Sequence, residues 1–151
     1  MNGWFTKHFK ELSVQELWAI LRLRQEVFML EQECLYLDID DIDQQAHHLA
    51  FWHKGELQAY ARLIEPGISY AQASIGRVVV APSVRSSKLG RTLMQHAIQE
   101  LETLHPQHAI KIGAQKYLEN FYNSLGFSTI SDSYIEDGIP HIHMLKRSTV
   151  G

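Results

Sequence analysis

The run from Ser74 to Met94, SIGRVVVAPSVRSSKLGRTLM, constrains the fold more than any other stretch of the chain. Val78, Val79 and Val80 are three β-branched residues in succession, which reads as a strand covered on both faces. Ala81-Pro82 ends it, because proline has no N–H to give to a ladder. The turn residues Ser83, Ser86, Ser87 and Gly90 surround two cations, Arg85 and Lys88, and then Leu89, Leu93, Ala97, Leu101 and Leu104 recur at helical spacing. A basic loop between a buried strand and a helix start suits an anion. The first N–H groups of a helix lack internal partners, and its dipole favours negative charge there. With Arg85, Lys88 and Arg91 adding full charges, the inferred ligand is a phosphate or pyrophosphate; a basic connection that binds nothing is the other reading. Two familiar phosphate loops do not apply. Gly90-Arg91-Thr92 lacks the lysine and the earlier glycine of a Walker loop, and a dinucleotide fingerprint needs three spaced glycines.

At 151 residues, of which 45% are hydrophobic, the chain is expected to be a single domain over 1–151 with a real core. A net charge of −3 argues against a nucleic-acid partner. The single cysteine, Cys34, excludes an internal disulfide framework and suits a reducing compartment. No apolar run approaches the roughly 20 residues that cross a bilayer, and the start Met1-Asn2-Gly3-Trp4-Phe5 has no signal-peptide pattern. A cytoplasmic protein without a membrane partner is expected. The 9 histidines invite a zinc reading, but none has the spacing of a closed site, so no metal is expected.

Taken in order, residues 3–9 read as a strand, and Ser13 with Glu16 forms a capping box that starts a helix. Leu17, Ile20, Leu21, Phe28 and Leu30 give that helix its buried stripe, and the charges among them, Arg22, Arg24 and Glu26, read as a solvated face. From Glu31 to Gln45 the pattern breaks into an acidic segment with Glu31, Glu33, Asp38, Asp40, Asp41 and Asp43. It is not a calcium loop: twelve positions from Asp38 end on Leu49, and no glycine stands sixth. A solvated acidic loop and a surface that attracts a cationic substrate both remain open. His48–His53 and Glu56–Ile64 form a hairpin around Gly55. Glu65-Pro66-Gly67 is a turn, and Ile68–Ala71 a short strand. His105-Pro106 stops the long helix. Ala109–Ala114 is a strand parallel to the valine strand, since the helix between them is long enough for a crossover. Leu118–Leu125 is a short helix capped by Gly126. Phe127–Tyr134 and Ile139–Lys146 close the chain as a hairpin around Asp137-Gly138. On the last strand, Ile139, His141, His143 and Leu145 share one face.

Two motifs, RVVVAPSVRSSKLGRTLM and LENFYNSLGF about thirty residues on, stand within this order of elements. Together they resemble the GNAT superfamily of acyl-CoA-dependent N-acetyltransferases over essentially the whole chain. LRLRQEVFMLEQECLYLDIDDID and YIEDGIPHIHM resemble its ElaA-like branch. The resemblance implies an α/β (α+β) fold, with a mixed, largely antiparallel sheet, a splayed parallel strand pair and helices on both faces. It implies acetyl-CoA as co-substrate, with no metal. Backbone groups of Val78 and Val80 would pair with the pantetheine arm, and a backbone N–H of the strand, that of Val79, would meet the developing oxyanion. The loop Arg85, Ser86, Ser87, Lys88, Leu89, Gly90 and Arg91 would hold the pyrophosphate. Lys88 stands where the family has its first loop glycine, and Gln115 where an asparagine is usual; Gln115 would still hydrogen-bond the pantetheine or the next helix start.

The implied reaction is acetyl transfer to an amine by direct attack in a ternary complex. A degenerate domain that binds CoA as a sensor or interaction module, without turnover, is the alternative. Tyr122 occupies the position of the family's tyrosine and would protonate or hydrogen-bond the leaving thiolate. A histidine titrates near pH 6.5 and suits a general base; His141 is the candidate, with His143, His47 and His48 behind it. Cys34 as an acyl-carrying nucleophile would need an adjacent base. The acceptor would be a small-molecule or peptide amine, cationic if the acidic segment faces it. A homodimer is open, since family members often pair.

Overall fold

The structure, a computed structural model, describes residues 2–149. After strand β1 (Gly3–His8), helix α1 (Val14–Arg24) starts where its capping box predicts. The Ser13 hydroxyl accepts the Glu16 N–H at 3.0 Å, and the Glu16 carboxylate accepts the Ser13 N–H at 2.8 Å. The helix then widens into a π-helical segment, Gln25–Glu31, a departure from α geometry that is frequent at functional sites. Strands β2 (His47–His53) and β3 (Glu56–Ile64) form the expected hairpin. Its turn puts Lys54 at φ 50° and Gly55 at φ 78°, both positive, as a two-residue primed turn requires.

Strand β4 (Ser74–Val80) joins the hairpin and completes an antiparallel sheet in the order β1-β2-β3-β4. Helix α2 (Leu89–Leu104) crosses over to β5 (Ile110–Gln115). Helix α3 (Glu119–Asn123), two short strands β6 (Ser128–Thr129) and β7 (Tyr134–Glu136), and β8 (Ile139–Lys146) follow. A second antiparallel sheet runs β5-β8-β6, with β7 also on β8. The two sheets meet at a parallel bridge between Ala73 and Ile110. The Ala73 N–H reaches the Ala109 carbonyl at 3.1 Å, and the Lys111 N–H reaches that of Ala73 at 2.8 Å. Beyond the bridge β4 and β5 are not paired, so the parallel strands expected from the crossover separate and leave a cleft.

A bulge in β4 decides what faces that cleft. Val79 pairs with Tyr60 and Gly76 with Arg62, so Arg77 and Val78 together stand opposite Ala61. One extra residue reverses the side-chain alternation. Ile75 before the bulge, and Val78 and Val80 after it, pack on the main core, while Val79 turns to the other side. That main core sits under α2, whose Leu93, Met94, Ala97 and Leu101 cover Ala61 and Leu63 of β3 and Ile112 of β5. On the opposite face α1 brings Ile20 and Leu23, and the π-helical segment Val27, against Tyr60 and Val79. The valine strand is thus covered on both sides, each buried large apolar side chain contributing roughly 1.5–3 kcal/mol.

Several local expectations change. Ile68–Ala71 is not a strand but part of a turn, closed by the Gly67 N–H on the Tyr70 carbonyl at 2.7 Å. The helix expected over Leu118–Leu125 is shorter: a 3₁₀ turn, Lys116–Leu118, precedes α3. Gly126, at φ 99°, lets the chain leave α3 in a left-handed conformation, and the Phe127 N–H closes back on the Tyr122 carbonyl at 3.1 Å. The strand expected over Phe127–Tyr134 breaks in two, because Ser131 turns its hydroxyl oxygen to accept the His143 N–H at 2.8 Å. Leu30, placed on the buried stripe of α1, is exposed, because the π-helical turn advances the register by one residue per turn.

Candidate active site

A cavity of about 240 Å³ opens where β4 leaves β5. Gly76, Arg77 and Val78 form one wall, and Gly113, Ala114 and Gln115 the other. Met94 of α2, and Leu118 and Tyr122 from the α3 region, also line it. Phe28 and Gln32, at the end of the π-helical segment, border it along with Cys34 and Tyr36, and Glu136, Asp137 and His141 come from the β7–β8 hairpin.

The Ala81 N–H donates to the Gln58 carbonyl at 2.8 Å, so Ala81 faces β3. By strand alternation Val79 faces β3 as well, and the backbone groups of Val80 and Val78 face the cleft. Val79 is therefore turned away from the position of oxyanion donor: its side chain lies in the α1 core and its backbone on Tyr60. The cleft-facing Val80 carbonyl accepts from Arg85 Nε at 3.3 Å.

The basic loop is a 3₁₀ segment, Pro82–Ser87, followed by Lys88 at φ 61°, ψ 20°. Lys88 thus adopts the left-handed conformation that glycine takes without strain, and its side chain is exposed and makes no capping bond to α2. Arg85 is less free than its sequence suggests, since it also pairs with Glu31 at 2.7 Å. Arg91 reaches the Ser124 hydroxyl at 2.7 Å and lies over the Phe121 ring, 5.5 Å from its centroid. The Ser87 hydroxyl donates to the Val84 carbonyl at 2.6 Å, and Ser86 is exposed. Gly90 stands close behind Val80, where an added Cβ would come 3.9 Å from Val80 Cγ2.

Tyr122 is buried between Phe121 and Phe127, yet it lines the cavity. No described residue hydrogen-bonds its hydroxyl. Burial first, and Tyr117 second, push its pKa up to about 12. His141 lines the cavity too, 8% exposed. Its Nδ1 lies 2.7 Å from the Ile139 carbonyl, which can only accept, so Nδ1 carries a proton and the lone pair of the neutral ring is on Nε2. Glu136 stands 3.6 Å from that Nε2. His143 shares the strand face but not the cavity; it packs on Tyr134 and Tyr70. His47 and His48 lie on β2, outside the cavity lining. Among the described residues, Cys34 Sγ hydrogen-bonds to carbonyl oxygens, those of Gln32 at 3.5 Å and Asp137 at 3.9 Å, and to no histidine or carboxylate.

The acidic segment is neither solvated nor a free acidic surface at its centre. Asp38 and Asp43 are buried, while Leu35, Leu37 and Ile39 face outward. Arg24, expected on a solvated face, is 0% exposed. Its guanidinium holds Asp38 Oδ2 and Asp43 Oδ1, each at 2.8 Å. Arg62 of β3 meets Asp40 at 2.7 Å and Asp43 at 3.0 Å, and Arg77 of the bulge meets Asp38 Oδ1 at 2.8 Å. Burial acts to raise the Asp43 pKa, but the Arg24 hydrogen bond and charge outweigh it and hold the carboxyl below the usual range. Sequence reasoning missed this network, though a signal existed: Arg24 follows Ile20 by four residues and precedes Val27 by three, on the apolar stripe itself.

His48 closes the network from below. It accepts the Tyr60 hydroxyl at Nδ1 (2.7 Å) and donates from Nε2 to the Asp43 carbonyl (2.9 Å), the arrangement of a neutral ring. Burial above all lowers its pKa from 6.5. A group whose folded pKa lies below its unfolded value stabilises fully above the latter and loses that contribution as pH falls through the folded value. Thermal melts from pH 8 to 5 should therefore lose stability once the pH drops below about 6.5. His48→Gln should flatten that limb; identical slopes in the two proteins would show that His48 does not titrate with unfolding. Asp43 acts with the same sign, beginning only below its unfolded value of 3.8.

Among the described residues, no group of three or more His, Cys, Asp or Glu is arranged to hold a metal, and no helix is long and apolar enough to cross a membrane. A family model described as an acetyltransferase (GNAT) domain matches residues 8–148. Protein ElaA of Escherichia coli (strain K12) is 41% identical over 148 residues, 97% of either chain. Two solved structures align closely. An acyl-CoA N-acyltransferase from Pseudomonas aeruginosa shares 41% identity at a TM-score of 0.90, over 95% of this chain and 98% of its own. Escherichia coli ElaA shares 40% at a TM-score of 0.91, over 97% and 100%.

Proposed function

Because the chain belongs to the GNAT acetyltransferase family, we propose that it moves an acetyl group from acetyl-CoA to an amine by direct attack within a ternary complex. The observation that carries this reading is the edge of β4 beyond the Ala73–Ile110 bridge, which is not paired with β5 and where Val78 lines the cavity. A free edge suits the amides of a pantetheine arm as an added strand would. The helix start and Lys88 suit its phosphates, with Arg85 joining them once it leaves Glu31 and the Val80 carbonyl. Bound there, the co-substrate supplies a thioester to the attacking amine. The Val78 N–H, facing the cleft, donates to the carbonyl oxygen as charge develops on it. Gln115 borders the same wall and offers a side-chain amide to the arm.

The acceptor must arrive neutral. A lysine-like amine with a pKa of about 10.4 costs about 4.6 kcal/mol to deprotonate at pH 7, so a base counts. His141 takes that role through the lone pair on Nε2, beside Glu136. His141→Ala should lower kcat/KM about tenfold or more and change the shape of the pH–rate profile. An unchanged rate and profile would leave base catalysis to water. A cationic acceptor fits because Glu136 and Asp137 border the cavity, while the charge of Arg77 is already met by Asp38 and Asp40.

Lys88 in place of the family's first loop glycine, held at φ 61°, favours one second reading, a CoA-binding sensor without turnover. Calorimetry with acetyl-CoA, followed by free-thiol release across a panel of diamines, aminoglycosides and lysine peptides, separates the two. Binding with thiol release supports the transferase, and binding without release across the panel supports the sensor. Absence of binding defeats both.

A further inference from the structure

Arg77 does two things that its place in a strand does not require. It sits at φ 50°, a conformation that glycine would adopt without strain, at the bulge that sends the Val78–Val80 edge into the cleft. Its guanidinium also leaves the sheet for the segment that follows the π-helical turn. Nε pairs with Asp38 Oδ1 at 2.8 Å, and Nη2 donates to the Asp38 carbonyl at 3.0 Å and approaches Asp40 at 3.4 Å. The Tyr36 ring lies beneath it, 5.9 Å from centroid to guanidinium carbon, with the Tyr36 hydroxyl donating to Asp38 at 3.4 Å. Asp38 is in turn fixed from behind by the fully buried Arg24. Arg77 and Tyr36 both line the cavity.

We infer that Arg77 is a positioning residue that couples the two walls of the cleft: it holds the β4 bulge and, through Asp38, holds the wall of residues 32–36 at a set distance from the Val78–Val80 edge. The co-substrate edge and the acceptor wall then move as one body. The backbone accepts a left-handed arginine because glycine, relaxed at that φ, would have no side chain to span the gap. Charge attraction in a largely buried pair is screened little by salt, so the coupling persists at physiological ionic strength.

Hydrogen–deuterium exchange on the whole protein tests this without reference to activity. In Arg77→Met and Arg77→Gly, peptides covering 32–38 and 76–80 should both exchange at least fivefold faster, while those of β5 and α2 stay within twofold of wild type. Arg77→Lys, which keeps one charge but loses the fork, should recover part of the protection, and it carries the comparison if either of the others fails to fold. Faster exchange confined to 76–80 would overturn the coupling, as would uniform acceleration across the molecule. A kinetic arm rests on the acetyltransferase reading. Arg77→Met should raise the acceptor KM about tenfold and leave the acetyl-CoA dissociation constant within twofold; the reverse split would count against the inference. If the wild type turns over no acceptor, that reading fails while the exchange arm still decides the coupling.

Discussion

Tyr122→Phe is expected to lower turnover about a hundredfold while leaving acetyl-CoA affinity within about twofold, the usual cost of losing one donor aimed at developing charge. The direction follows from its surroundings. Burial raises the phenol to about 12, so it keeps its proton throughout the working range and acts as a donor, never as a base. A CoA thiolate, with a pKa near the cysteine value of about 8.5, cannot take that proton outright, since full transfer would be uphill by about 5 kcal/mol. In the proposed reaction Tyr122 would therefore stabilise the leaving sulfur by a hydrogen bond rather than by giving up its proton. No described residue competes for its hydroxyl, so removing the oxygen leaves no orphaned partner and the fold should be unharmed. Free-thiol release with saturating amine, together with calorimetry and a melting curve, checks all three statements. Equal turnover in the two proteins would remove Tyr122 from the chemistry and leave it as a core aromatic between Phe121 and Phe127.

The largest stability effect belongs to a residue outside the cavity lining. Arg24→Met takes from two buried carboxylates, Asp38 and Asp43, the guanidinium nitrogen that each has at 2.8 Å, leaving Asp38 to Arg77 and Asp43 to Arg62. Breaking a buried pair from one side costs about 3–5 kcal/mol when the charge is left uncompensated; with Arg77 and Arg62 still in place the loss is expected at the lower end, about 3 kcal/mol. For a chain of this length that is a fall of roughly 10 °C in Tm. Replacing Arg24 and Asp43 together, with Met and Leu, should recover part of the loss, since the remaining carboxylate, Asp38, still has Arg77. A loss below 1 kcal/mol in Arg24→Met, read from denaturant melts near pH 7, would mean that water enters the network and solvates both acids. The same melts report on the site, because Cys34 and Tyr36, just before Asp38, border the cavity. Destabilising the network should loosen that border before the main core opens.

How far the chain could be read depends on the range of the interaction concerned. Capping at Ser13, the Lys54-Gly55 and Asp137-Gly138 turns, and the helix running from Leu89 are set by neighbours within four residues, and each stands where it was expected. His141 was legible from the alternation of the last strand and Tyr122 only through the family resemblance, since a tyrosine between two phenylalanines reads locally as a core aromatic; both reach the cavity. Arg24 and Asp38 were not, because a charge on an apolar stripe is indistinguishable from a solvated one until its partner, 14 residues away, is known. Arg85 failed differently. Its identity was plain, but Glu31 and the Val80 carbonyl that engage it are met only in three dimensions.

By itself, the sequence determined the element order, the parallel sense of β4 and β5 and the basic helix start, since each is written in local pattern and crossover length. Only the tertiary structure decided that β4 bulges at Arg77, that Val79 therefore faces α1 rather than the cleft, and that the acids of the central segment turn inward. Those outcomes rest on register and on buried charge pairing. Both are set by groups far apart along the chain, whose low-dielectric contact exists only once the sheet and α1 have closed around them.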